Sequence, residues 1–240
     1  MINLGISIAV IAVITFLFSL LKVHLAIGLP LGIVAGFIVF LLLGRKMQEV
    51  LEKLMNQMQR DMQAGKLDRA IETLKKGFAY KWRHIFVARQ LNSQIGMLYY
   101  LKKDHDLALQ YLKKGFLKHY IGQGMLACIY YKRKDMDAMK QALDDLVQAN
   151  RKESIVYGLY AFLLHQLKDR EGAIKKLQAG IKKLPDDQRL ITNLNLLQNN
   201  KRMKMKVFGD MWVQFMLERA PRIQQNVPPH LRMKRRATFR

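Results

Sequence analysis

The chain has 240 residues, half of them hydrophobic, and a formal net charge of +23. That is too long for a peptide-sized element and leaves room for a membrane segment beside one soluble region of ordinary size. The excess of Lys and Arg favours contact with anionic lipid, nucleic acid or acidic protein, and a single cysteine, Cys128, excludes an intramolecular disulfide or a multi-cysteine zinc site.

Residues 1–44 hold one Lys, no Arg and no acid, and they are apolar from Ile2 to Leu21 and again from Leu25 to Leu43. One continuous helix of this length would measure roughly 63 Å, about twice the ~30 Å hydrocarbon layer, so the segment is expected to fold back at Lys22, Val23 and His24. No positive leading region precedes the apolar run, which points to a retained hairpin instead of a cleaved signal. Arg45, Lys46, Lys53 and Arg60 follow the second run, so both termini are expected in the cytoplasm, at a bacterial cytoplasmic (inner) membrane. Gly28, Gly32 and Gly36 lie on one face of the second span, and Gly5, Ala9 and Ala12 give the first a comparable face. Such faces either pack the two spans together or pair two copies as a homo-oligomer.

From Met47 to Met62 apolar residues follow helical spacing, so the second span is expected to run on into an amphipathic helix. A local pattern then returns: Ala70, Leu74 and Gly77; Ala108, Leu112 and Gly115; Met139, Leu143 and Leu146; Ala173, Leu177 and Gly180. Its anchors are 38, 31 and 34 residues apart, a period that signals stacked helical hairpins. Gly96, Ala127 and Ala161 precede the last three anchors by twelve positions, and Pro185 follows the last by twelve.

This pattern resembles the tetratricopeptide repeat (TPR) family, over roughly Val50 to Leu217. The resemblance implies an all-α chain, with the transmembrane hairpin over 1–44 followed by a TPR-like solenoid of antiparallel helix pairs over 45–217. Four pairs are expected, then a terminal pair near Gln188 to Asn199 and Lys201 to Leu217 that caps the stack. A basic tail occupies 218–240; from Pro221 onward it has six basic and no acidic residues, too few apolar groups to fold alone.

No catalytic constellation emerges. His24, His84, His105, His119, His165 and His230 never fall at the i, i+4 spacing of a helical metal site, no glycine loop ends in Gly-Lys-Ser/Thr, and no cofactor site is read. Asp104, His105 and Asp106 lie together only in a repeat turn, where polar residues are expected. Gly122 and Gly124 read as close-packing positions.

The TPR resemblance implies a groove lined by the first helix of each pair: Gln90, Ser93, Met97 and Tyr100; Ile121, Gly124, Cys128 and Tyr131; Ile155, Gly158, Phe162 and His165. That surface lacks the basic and amide residues with which relatives clamp a carboxylate, and it suits a protein or peptide segment with large apolar anchors. Lys234, Arg235 and Arg236 of the tail are expected to touch anionic lipid. Together these features imply a non-enzymatic adaptor at the membrane, organising proteins for envelope assembly, transport or quality control. The alternatives are a nucleic-acid-associated membrane protein using its basic surface, and a catalytic subunit with residues scattered over the repeats.

Overall fold

The computed structural model describes residues 2–20, 25–83 and 86–218. The expected turn at Lys22 to His24 and the tail with Lys234, Arg235 and Arg236 lie outside the described residues.

Helix α1 (Ile2–Leu20) and helix α2 (Leu25–Gln63) form an antiparallel pair. Their packing reverses the pattern of a water-soluble pair: Asn3 and Ser7 are buried between the helices, while Phe16, Leu20 and Phe37 point outward with about three-fifths of their surface exposed. The buried polar groups are satisfied locally, Ser7 Oγ donating to the Asn3 carbonyl at 2.9 Å and Asn3 Nδ2 reaching the Leu43 carbonyl at 3.5 Å. Gly28, Gly32 and Gly36 all face α1; a Cβ at Gly36 would lie 2.3 Å from Ile11 and 3.0 Å from the Ser7 carbonyl. Gly5, Ala9 and Ala12, expected as the small-residue face of α1, do not pack the two spans together: they are exposed, and Ser7, Ile11 and Phe18 meet the glycines instead. Small residues on both helices are not required, because glycines on one helix already admit the larger side chains of the other.

α2 continues without a break past Gly44, so its second half serves as the first helix of the repeat stack. It pairs with α3 (Leu67–Lys76); α4 (Val87–Leu101) pairs with α5 (His105–Lys113), α6 (Tyr120–Lys132) with α7 (Met136–Ala149), and α8 (Ser154–Gln166) with α9 (Arg170–Lys183). These four helical hairpins form the TPR-like α-solenoid that the resemblance implies. The turn inside each pair is the same. Gly65, Lys103, Lys134 and Lys168 adopt left-handed backbone with φ of 60 to 71°. In the second pair Lys103 N bonds the Tyr100 carbonyl and Asp104 N the Tyr99 carbonyl, and the other three repeat this double closure. Asp104, Asp135 and Asp169 then cap the next helix, each carboxylate accepting a backbone N–H at 2.8 to 3.1 Å.

Ala70, Ala108, Met139 and Ala173 are fully buried where the pairs meet, and Gly96 is held against Leu112 so closely that a Cβ would lie 2.6 Å away. After α9, α10 (Gln188–Gln198) ends in the same double closure, now with left-handed Asn200. It is a fifth leading helix, but among the described residues no full-length partner helix follows it. The expectation of a helix over Lys201 to Leu217 is corrected. Position 201 carries Lys where Asp caps α5, α7 and α9, and Gly209, at φ 64° and ψ −146°, interrupts the run. The segment instead forms a 3-10 turn (Met205–Phe208) and one helical turn, α11 (Asp210–Val213), and folds back along the concave face.

Candidate functional site in the concave groove

The concave face is built by α4, α6, α8 and α10, and the chain's own C-terminal segment lies in it. Met203, Met205, Phe208, Trp212 and Phe215 are buried there. Two helix-interior glycines make the space. A Cβ at Gly124 would meet the Phe215 ring at 2.5 Å, and one at Gly158 would meet the Phe208 ring at 2.6 Å. Glycine inside a helix costs roughly 0.5–1 kcal/mol relative to alanine, so its presence on two neighbouring leading helices fits a need for close approach. Between these seats the Trp212 ring stands edge-on to Phe162, with centroids 4.8 Å apart, and also contacts Phe215.

The backbone of the segment is held by side chains. Asn193, fully buried on α10, accepts from Lys204 N at 2.7 Å and turns its amide nitrogen toward the Lys204 carbonyl at 3.4 Å. At the other end the Tyr100 hydroxyl donates to the Phe215 carbonyl and accepts from Lys132 Nζ at 3.3 Å. Burial raises the Tyr100 pKa far above the usual phenol value, which keeps the hydroxyl a donor, and burial lowers that of Lys132. Tyr120 and Arg189 add flanking contacts, the first to Met211 Sδ at 3.4 Å and the second over the Phe208 ring.

The residues expected to line the groove divide into three groups. Tyr100, Gly124, Gly158 and Phe162 lie directly under the segment. Ser93, Ile121, Cys128 and Ile155 are buried and offer no open surface. Ser93 Oγ accepts from Phe116 N at 2.8 Å and so ties α4 to the next connection, and the Cys128 thiol, buried beside Tyr100, is pushed up to about 12. Gln90, Met97, Tyr131 and His165 are half-buried, with Met97 close to Gly122 and His165 beside Phe162, Arg202 and Met203 at one end of the segment. Sequence reasoning missed Asn193 and the five anchors of the segment. The available signal was the pair Gly124 and Gly158, whose position inside helices asks what ring fills the space.

The polar trio in the second repeat turn serves separate ends. Asp104 caps α5, Asp106 pairs with Arg133, and the His105 ring lies 5.4 Å from that of Tyr100. Among the described residues no three His, Cys, Asp or Glu side chains gather as metal ligands.

No family model and no curated protein matches the chain. Solved structures with a similar course include MamA, at 17% identity and a TM-score of 0.48, with 70% of this chain and 89% of that one covered. They also include MamA from Desulfovibrio magneticus beginning at residue 41, at 19% identity and a TM-score of 0.46, and a MamA double mutant at 18% and 0.46. Each of these two covers 70% of this chain and 93% of that one. At such values the likeness carries no argument about function, and the TPR-like course rests on the helix pairs and turns described above.

Proposed function

We propose that the chain is a membrane-anchored, non-enzymatic scaffold whose groove takes an irregular protein segment with bulky apolar anchors. Its own residues 203–217 hold that seat until a partner displaces them. The observation that carries this reading is the seat itself: Phe208 over Gly158, Trp212 on Phe162 and Phe215 over Gly124, with the backbone gripped at Lys204 and Phe215. Aromatic anchors in fitted pockets are how interfaces concentrate binding energy, and a groove that accepts a non-helical segment in cis has the chemistry to accept one in trans. The anchor rests on α1 and the first half of α2, whose polar groups turn inward and apolar groups outward, as a lipid environment requires.

The test adds a labelled peptide of residues 201–218 to the full chain in detergent, either wild type or carrying Phe208→Ala, Trp212→Ala and Phe215→Ala. A tethered segment competes at an effective concentration of about a millimolar, so the triple variant should bind the peptide at least about tenfold more tightly than wild type. A folded, fully helical triple variant that ignores the peptide would overturn the groove reading. Extraction of the full chain from cell membranes by alkaline carbonate would overturn the anchor.

A further inference from the structure

We infer that the edge of the solenoid formed by the connections between helix pairs lies on the membrane and grips an anionic lipid surface, with Trp82 and Phe86 reaching the interface. The inference rests on the proposed anchor and concerns a surface other than the groove.

Contacts between connections trace this edge from the hairpin outward. Ile2 N, at the start of α1, donates to the Trp82 carbonyl at 2.8 Å. Asn3, Leu43, Lys46, Tyr80 and Arg83 line one cleft, so the α3–α4 connection sits where the apolar part of α2 ends. Phe86 of that connection packs on Phe116 of the α5–α6 connection, with centroids 5.6 Å apart. Asn150 Nδ2 then donates to the Leu117 carbonyl at 3.0 Å, joining the α7–α8 connection to the series. The order follows from the chain's course: α2 leaves the apolar layer as a leading helix, so the starts of α4 and α6 fall on the side from which α2 comes.

Charge is distributed unevenly between the two edges. On the hairpin side, segments 76–89 and 113–119 carry seven Lys or Arg and no Asp or Glu, the 150–153 connection adds Arg151, Lys152 and Glu153, and the 184–187 connection brings only Asp186 and Asp187, so the basic part of the edge is the part nearest the hairpin. The far-side turns 102–106 and 132–137 carry five Lys or Arg against four acids, and there Lys102 pairs with Asp68 and Arg133 with Asp106. Part of the cause is local: the far-side starts of α5, α7 and α9 use Asp caps, whereas on the hairpin side α6 is capped by His119, α4 and α8 have no side-chain cap, and Asp appears only at α10, farthest from the hairpin. Glu49, beside Lys46 at the hairpin cleft, is the nearby acid on α2. Within the basic edge Trp82 is 62% exposed, Leu117 50% and Phe86 46%, and Lys81 Nζ lies 5.3 Å from the Trp82 ring centre. Exposed aromatic rings among cations, level with the end of an apolar helix, match the headgroup layer, where amphipathic rings reside and anionic lipid attracts Lys and Arg. Nucleic acid would use the same charges, but nothing in its recognition requires them beside the hairpin.

The chain has two tryptophans, and Trp212 is buried in the groove, so emission from a Trp212→Phe chain reports Trp82 alone. The full chain is reconstituted into vesicles of phosphatidylcholine, with or without phosphatidylglycerol, some lipids being brominated near the ester end of the acyl chain. Flotation after alkaline carbonate is measured first. The expected result is a floating chain whose Trp82 is quenched by brominated lipid about twofold more strongly in anionic than in neutral vesicles, the difference disappearing at ~1 M salt. Replacing Lys81, Arg83, Lys114 and Lys118 by Gln should abolish the same difference while flotation is unchanged. A chain that floats while Trp82 answers to aqueous iodide and not to brominated lipid would overturn the edge and leave the anchor standing. A chain that fails to float would overturn both. If polyuridylate competes with the vesicles and the Gln variant loses RNA retention without a change in quenching, the edge belongs to nucleic acid and the inference fails.

Discussion

Asn193 grips Lys204 by both ends of its amide, the oxygen accepting from the Lys204 backbone N–H at 2.7 Å and the nitrogen facing its carbonyl at 3.4 Å. This pair fixes the point at which the chain leaves α10 and enters its own groove. Asn193→Ala leaves a buried donor unsatisfied, which costs about 1–3 kcal/mol. The expected outcome is faster hydrogen exchange over residues 203–217 with α8 still protected. Uniform loss of protection through α6 and α8 would show that the segment is inseparable from the core.

The fit of Phe215 over Gly124 predicts a reversal of sign. Gly124→Ala should gain up to about 1 kcal/mol from helix propensity alone, but the added Cβ would stand 2.5 Å from the ring of Phe215. In the wild-type background it should therefore destabilise the chain or release the segment, while in a Phe215→Ala background it should stabilise. Urea denaturation of the four chains in this cycle measures the coupling.

Gly209 takes backbone angles that other residues rarely adopt, and a Cβ there would touch nothing within 4 Å. Gly209→Ala therefore strains the reversal between Phe208 and Trp212 without disturbing the groove floor, at about 1–3 kcal/mol. Peptide 201–218 should bind this variant more tightly than wild type. Equal binding would show that the reversal is not what holds the segment.

The left-handed lysines of the repeat turns offer a contrasting gain. Lys134 has φ 60°, where an L-residue is strained and glycine is not. Lys134→Gly should raise stability by up to about 1 kcal/mol, and Lys134→Ala should not. A melting temperature lowered by the glycine would indicate that the lysine side chain outweighs its backbone strain.

Acid should weaken the stack through His119 and His105. Burial lowers the pKa of both, and Lys132 and Arg133 add to the effect at His105, against Asp104 and Asp106. His119 Nδ1 accepts from Gly122 N at 3.2 Å and so caps α6 in its neutral form. Because the folded pKa values lie below the unfolded value near 6.5, the unfolded chain binds more protons as pH falls. Stability is thus fully present above about pH 6.5 and is lost as pH drops through the folded values. His119→Asn keeps a capping oxygen without the titration, so its melting temperature should fall less than wild type between pH 7 and 5.

The sequence by itself determined the apolar pair of N-terminal helices and the paired helices behind them. Those features depend on local rules: unbroken apolar runs, the spacing from Ala70 to Gly77 and its repeats, and an Asp one residue beyond the left-handed Lys103, Lys134 and Lys168. Tertiary structure alone decided the fate of Lys201 to Leu217, whose periodicity suits a helix until Gly209 breaks it and whose rings find space only against Gly124 and Gly158. It also decided which groove residues are covered and which edge gathers the basic connections. Periodicity reports the face that a residue takes within its own helix, whereas a ring seated on a glycine far back in the chain depends on how separate helices stack, and no local pattern encodes that distance.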